Sequence, residues 1–288
     1  VEEFFSLQHN DPNLELYEFI KELGFTNVIL NTDINLPNIV VPEANLAIEY
    51  SELQSNINDL NQNINFYKNK MIQANKNGYQ LITMFEDEYK NSVSKIHNIL
   101  RHKLGKTETK LYARNTKAYE IYNISSIEEF YESNHIQGWD KGSSITLALV
   151  YNNTYVAMMS FEKYKENSVY LTRFATSTQV VGGASKLFSY FLKLYTDINE
   201  IISFADLRWS DGNLYNKLNF KLVDTLQPDY RYVVDGQRKH KFNFRKKNLK
   251  KMFGDILDTD SMTEKEVMIK MGIPRSWDCG KLKYVYTR

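Results

Sequence analysis

Two short apolar runs, each closing on acidic residues, most constrain what this chain can fold into. The first is Ile39-Val40-Val41-Pro42-Glu43-Ala44-Asn45-Leu46-Ala47-Ile48-Glu49-Tyr50, and the second is Gly78-Tyr79-Gln80-Leu81-Ile82-Thr83-Met84-Phe85-Glu86-Asp87-Glu88. A buried strand that ends on an acid delivers a carboxylate to a sheet edge. Carboxylates placed there can hold a divalent cation over a scissile phosphate. A single acid ending a strand is more simply a solvated residue. For the pair, with a helix-like segment between, the residues alone leave both readings open.

The flanking pattern places these runs in an α/β module at 1–105. Leu14 to Leu23 has helical spacing and stops at Gly24, a C-cap signal. Val28-Ile29-Leu30 reads as a strand, and Ile39–Val41 with Leu46–Tyr50 as a hairpin about Pro42–Asn45. Asp59 to Asn77 reads as a helix ending at Gly78, Leu81–Phe85 as the next strand, and Asp87–Leu104 as a helix closed by Gly105.

These phrases resemble the very-short-patch-repair-like endonuclease domain of phage homing endonucleases, a compact relative of the restriction-endonuclease fold. The residues carrying the resemblance are Pro42, Leu46 through Tyr50, Ser51-Glu52, Asn69-Lys70 and Phe85-Glu86-Asp87-Glu88. Asn38 or Ile39 stands where that family places a metal-binding aspartate. Tyr50 runs directly into Ser51, so a histidine-bearing segment is missing, and Tyr67 replaces a second histidine. The resemblance implies a Mg²⁺-dependent, phage-encoded DNA endonuclease with an incomplete site. It implies Glu49 and Asn38 at the metal, and Glu15, Glu49, Glu86 and Asp87 as catalytic candidates. Double-stranded DNA is the implied partner, and the cytoplasm of a bacterial host the implied location.

Composition sharpens this picture only in places. Hydrophobic residues make up 42% and charged residues 25% of the 288, ordinary for a globular chain with room for two domains. The net charge of +1 supplies no global field toward nucleic acid, so any basic footprint is local. A single cysteine, Cys279, excludes an intramolecular disulfide and a cysteine-based zinc cluster, in keeping with a reducing cytoplasm. No apolar run is long enough for a membrane span. The opening Val1-Glu2-Glu3-Phe4-Phe5 lacks the basic region of a secretory signal.

A second module is expected at 106–235, after the polar linker Lys106–Lys110. Leu111–Arg114 is a short strand, and Ser125–Asn134 a helix with Ser126 and Glu129 as a capping box. Ile145–Tyr151 and Thr154–Phe161 pair around Asn152-Asn153. Val169–Ala175 leads through Gln179-Val180-Val181-Gly182-Gly183-Ala184 into an amphipathic helix, Ser185–Tyr195. Ile201–Phe204, Gly212–Leu218 and Phe220–Asp224 complete it as strand, short helix and strand. This order resembles the GNAT acetyltransferase superfamily, an α+β fold. Gln179, Gly182, Gly183 and Ala184 match its loop, in which backbone N–H groups at a helix start receive the pyrophosphate of a coenzyme-A-type donor. Asn213 through Phe220 resembles its second signature.

Longer phrases, His135–Gly138, Val180–Phe188, Ser203–Ser210 and Asp278–Lys283, resemble GNAT-like domains fused behind phage homing endonucleases. Ser203-Phe204-Ala205-Asp206 is also similar to a phrase in DNA-base modification enzymes of GNAT-like fold. His135, Asp206, Arg208 and Trp209 are candidates for one pocket, as base, carboxylate, phosphate fork and stacking plane. Each taken singly is more simply a turn, a surface pair or core.

The segment 236–288 is expected to be a basic, partly helical tail, with Thr263–Gly272 as its helix. From Arg231 to Lys251 the basic residues include Arg238, Lys239, Lys241, Arg245, Lys246 and Lys247, interleaved with Tyr232, Phe242 and Phe244. Cations among aromatic rings suit a phosphate-tracking surface. These residues, with Arg208 and Trp209, are the DNA-binding candidates. Three functions follow as expectations: a homing-type endonuclease, an inactive nuclease-derived DNA-binding protein, or a GNAT-like transferase that modifies DNA or another acceptor with a coenzyme-A-type donor.

Overall fold

The computed structural model describes residues 11–53 and 63–288. The opening Val1–Phe5 and the first residues of the helix expected from Asp59 lie outside these. In chain order the elements are α1 (Pro12–Glu22), β1 (Ile29–Leu30), β2 (Ile39–Val41), β3 (Leu46–Ser51), α2 (Phe66–Lys76), β4 (Gln80–Phe85) and α3 (Glu86–Asn91). Next come α4 (Val93–Lys103), β5 (Lys110–Tyr112), β6 (Lys117–Glu120), α5 (Ile124–Asn134), β7 (Ile145–Tyr151), β8 (Thr154–Lys165), β9 (Ser168–Thr176) and β10 (Gln179–Val181). These lead to α6 (Gly183–Leu194), β11 (Glu200–Asp206), α7 (Asn213–Lys217), β12 (Lys221–Leu226), β13 (Tyr230–Val234) and β14 (Gln237–His240). The last are α8 (Lys246–Phe253), α9 (Glu264–Lys270), β15 (Arg275–Trp277) and β16 (Lys281–Thr287).

The chain forms two compact units, and each is discontinuous. The first comprises Val1–Asn91 and Gln227–Gly280, and the second Ser92–Leu226 and Lys281–Arg288. Helix α4, placed in the first module by the sequence, therefore belongs to the second unit. Most of the expected tail belongs to the first.

In the first unit, β1, β2, β3 and β4 lie side by side. The first three are antiparallel, and β3 and β4 are parallel through α2. Every residue of β3 is buried, so both faces of this strand are covered. Helix α1 starts on Asp11, whose carboxylate accepts from the Asn13 amide, with Pro12 following. The 227–280 part adds a three-stranded sheet, β14-β13-β15, and a small core of Tyr232, Phe244, Leu249, Val267 and Met268. A capping box of Thr263 and Glu266 starts α9.

The second unit is built on a seven-stranded sheet in the order β12-β16-β11-β9-β8-β7-β6. The β7–β8 turn is tight because Asn152 and Asn153 both take left-handed backbone, at φ 47° and 61°. Helix α5 is capped by Asn123, whose side chain accepts from the Ser126 amide. The expected Ser126/Glu129 box is not what starts it. Strand β16 lies between β11 and β12, inside the sheet rather than in a tail. Among the described residues no helix is long and apolar enough to cross a membrane.

Candidate functional site

Strands β9 and β11 are parallel neighbours, but they pair over only three positions, Glu200–Ser168, Ile201–Val169 and Ile202–Tyr170. Beyond Ile202 they diverge. Each is held on its far side: β11 pairs with β16 through Asp206, and Arg173 and Phe174 of β9 pair with β8. Ser203 sits at the branch point, buried, with Oγ 2.7 Å from the Leu171 carbonyl and 2.9 Å from the Tyr215 hydroxyl. The hydroxyls thus satisfy backbone groups that the missing ladder leaves open.

The divergence opens a cleft. Its inner part, about 150 Å³, is lined by His135, Thr172, Arg173, Asp206, Trp209 and Tyr215 among others. Its outer part, about 400 Å³, adds Glu162, Tyr170 and Lys281. The Trp209 indole N–H is buried and has no hydrogen-bond partner among the described residues. Arg173 donates to the Gly138 and Thr172 carbonyls.

His135 Nδ1 accepts from the Gln137 amide at 3.2 Å, which assigns the proton of the neutral ring to Nε2. Burial, reinforced by Arg173 and Lys95, pushes its pKa down to about 3. His135 is therefore a neutral donor rather than the base expected from sequence. Asp206 is committed to Arg208, whose guanidinium lies 3.0 Å from its carboxylate. Arg208 is only 5% exposed, so it folds back as an internal pair instead of offering a phosphate fork, and Trp209 is buried rather than a stacking plane on the surface.

The glycine loop stands at the start of α6. Gly182 is the N-cap with φ +77°, a conformation that suits glycine, and no side chain caps the helix. No acid lies in the first turn. Uncapped first-turn amides and the positive end of the helix suit an anion. The edge of β10 behaves differently: Gln179, Val180 and Val181 pair with Lys110, Leu111 and Tyr112 of β5. Lys186 holds that neighbouring segment by donating to the Ala113 and Thr116 carbonyls. The start of α6, at Gly182, Gly183, Ala184 and exposed Ser185, thus fits a pyrophosphate, while Gln179 is engaged in pairing.

In the first unit the carboxylates expected at a metal site do not converge. A cavity of about 240 Å³ is lined by Asp33, Asn38, Glu49, Glu52 and Lys70 among others, without Glu15, Glu86 or Asp87. Glu49 is bound to the Lys70 ammonium at 2.6 Å, and burial raises its pKa against that attraction. Asn38 accepts from the Tyr50 amide. Glu15 accepts from Tyr89, Glu86 holds Lys90 and the Leu53 amide, and Asp87 binds Arg238. Among the described residues no group of three or more His, Cys, Asp or Glu is placed to hold a metal ion.

The basic stretch is divided as well. Arg238 is buried against Asp87 and Glu88, with its guanidinium 3.9 Å above the Phe85 ring, so it is no surface contact. Lys241 pairs with Asp229, and Lys246 donates to the Asp260 carbonyl. Lys239, Arg245 and Lys247 remain on the exposed side.

No family model matches the chain, and no curated protein matches it. Solved structures match in part. The chain is similar to a GNAT family acetyltransferase from Elizabethkingia anophelis with acetyl-CoA bound, at 13% identity and TM-score 0.34, over 60% of this chain and 99% of that one. It is also similar to the ribosomal-protein-S18-alanine N-acetyltransferase from Escherichia coli, at 9% identity and TM-score 0.35, over 60% and 93%. A third is a Bacillus subtilis acetyltransferase in complex with CoA, at 12% identity and TM-score 0.32, over 60% and 99%. Scores this low carry no argument about chemistry. The second unit runs strand, strand, strand, glycine loop, helix, strand, short helix and strand from β7 to β12.

These matches are acetyltransferases, not endonucleases. The expectation of a magnesium-dependent homing endonuclease is corrected on the geometry of the first unit, where the expected carboxylates form no metal-holding group among the described residues. The physical reason lies in the Glu49–Lys70 pair and the dispersal of the other carboxylates.

Proposed function

We propose that the second unit is a GNAT-like transferase that takes its acceptor into the cleft between β9 and β11 and the anionic end of a coenzyme-A-type donor at the start of α6. The divergence of the two strands after Ile202 carries this reading, because it opens a cleft in the unit that also holds the uncapped start of α6.

Such a donor supplies an activated acyl group. The protein's part is positioning and electrostatics. The Trp209 indole N–H and the assigned Nε2–H of His135 are donors of the kind that stabilise negative charge developing on a carbonyl oxygen. With Asp206 committed to Arg208, Glu162 is the carboxylate in the outer cleft left to receive a proton from the attacking amine or hydroxyl.

Calorimetric titration of the full chain with acetyl-CoA tests this reading, using Ser185→Asp as the variant. An acid in the first turn favours the helix but repels a pyrophosphate. Saturable binding that Ser185→Asp weakens about tenfold supports the reading. Absence of binding to the unaltered protein rejects it.

A second reading concerns a partner of the first unit. Phe242 is 56% exposed, with the His240 ring at 4.6 Å and the Arg245 guanidinium at 4.4 Å. Exposed Lys239, Lys247 and Lys251 lie in the same stretch, an arrangement suited to nucleic-acid phosphates and a stacked base. Fluorescence anisotropy with labelled duplex and single-stranded DNA tests it. Binding that falls steeply with salt and drops in Phe242→Ala supports contact here, and salt-independent or absent binding rejects it.

A further inference from the structure

A separate cavity of about 290 Å³ opens in the second unit between α4, the end of α5 and the end of β9. Lys95, Asn98, His102 and Lys103 face it from α4, Ser133 and Asn134 from α5, and Thr176 and Ser177 from β9. Lys95, Asn98 and His102 recur at helical spacing, so one face of α4 presents them together. No aspartate or glutamate lines the cavity.

The cations there are poorly balanced by the protein. Lys95 is 13% exposed, and its ammonium stands 3.8 Å from the Glu132 carboxylate, a loose pair. The Lys103 ammonium makes no hydrogen bond or ion pair among the described residues, and Asp211 is the acid that acts on it from a distance. His102 Nε2 lies 3.3 Å from the Thr176 hydroxyl. Burying cations without anions is costly. The carbonyl end of α5 draws positive charge, but that effect suits one cation rather than two ammoniums and an imidazole.

We propose that this cavity binds the phosphate group of a phosphomonoester. Asn134 and Ser177 already donate to the Phe130 and Tyr155 carbonyls. A tetrahedral dianion matches two ammoniums together with the Asn98 amide and the Ser133 hydroxyl, whereas a planar carboxylate would leave some of them unmatched. This site stands on its own geometry and does not depend on the reading of the β9–β11 cleft. Burial lowers the pKa of both His102 and Lys103. A bound dianion opposes that effect, so occupancy raises both.

The test is NMR of the histidine imidazoles in the full chain, titrated with inorganic phosphate and with ribose 5-phosphate at constant ionic strength. His102→Gln assigns the reporting signal. The expected result is a saturable shift of the His102 signal, a rise in its pKa, and binding about tenfold weaker in Lys103→Met. Tighter binding of ribose 5-phosphate identifies the phosphate of a larger ligand, and tighter binding of inorganic phosphate the free ion. A His102 signal that neither probe moves overturns the proposal. So does unchanged affinity in Lys103→Met or, should that variant not fold, in Lys95→Met.

Discussion

Lys70 Nζ lies 2.6 Å from Glu49 Oε2, and both side chains are almost wholly buried. Their strand and helix, β3 and α2, form the centre of the first unit. The pair accounts for a carboxylate in an otherwise apolar strand without any cation from solution. Replacing one partner leaves the other charge buried and alone. Lys70→Met is expected to destabilise the first unit by about 3–5 kcal/mol, and adding Glu49→Gln to recover much of that loss. Urea unfolding of the single and double variants measures both. Equal costs for the single and the double contradict the account.

Arg238 gives a parallel expectation. Its guanidinium meets Asp87 and Glu88 and stacks on Phe85, so Arg238→Ala removes the cation that balances two carboxylates and uncovers a ring. The expected cost is about 3 kcal/mol or more, against about 0.5 kcal/mol or less for exposed Lys247→Ala. Thermal unfolding of the two variants decides whether Arg238 is structural, and similar midpoints contradict it.

The pH dependence follows from His135. Its folded pKa is depressed to about 3, below the ordinary imidazole value of 6.5. Between these values the unfolded chain binds a proton that the folded chain refuses, so stability falls as pH drops from about 6.5 toward 3. His135→Gln removes that contribution. Denaturant midpoints at pH 7 and pH 5 are expected to differ less for the variant than for the unaltered protein. An equal difference contradicts the neutral assignment.

Much of the local structure was legible in the sequence. Gly24, Gly78 and Gly105 end helices with φ between +67° and +87°, and the Asn152-Asn153 turn is where the alternation stops. The order from β7 to β12 was also legible apart from β10, whose residues read as part of the glycine loop. Strand β16 was not, because Lys281–Thr287 follows the basic segment at the end of the chain and reads as a tail until the distant β11 and β12 supply its partners. The cleft was half legible: His135, Asp206 and Trp209 stood out as residue types and do meet. Arg173, Ser203 and Tyr215 did not, since their roles come from two strands parting, which no local spacing records. The lone hydroxyl of Ser203 within the apolar run Ile201–Phe204 was the available signal. Arg208 and Arg238 misled because a charge run states nothing about which members are paired inside.

The most direct measurement is an amide and indole NMR titration of the full chain with coenzyme A. The GNAT-like reading predicts saturable shifts at the Gly183, Ala184 and Ser185 amides, at the start of α6, together with the indole signal of Trp209 in the cleft. Shifts confined to other residues, or none at all, would contradict it.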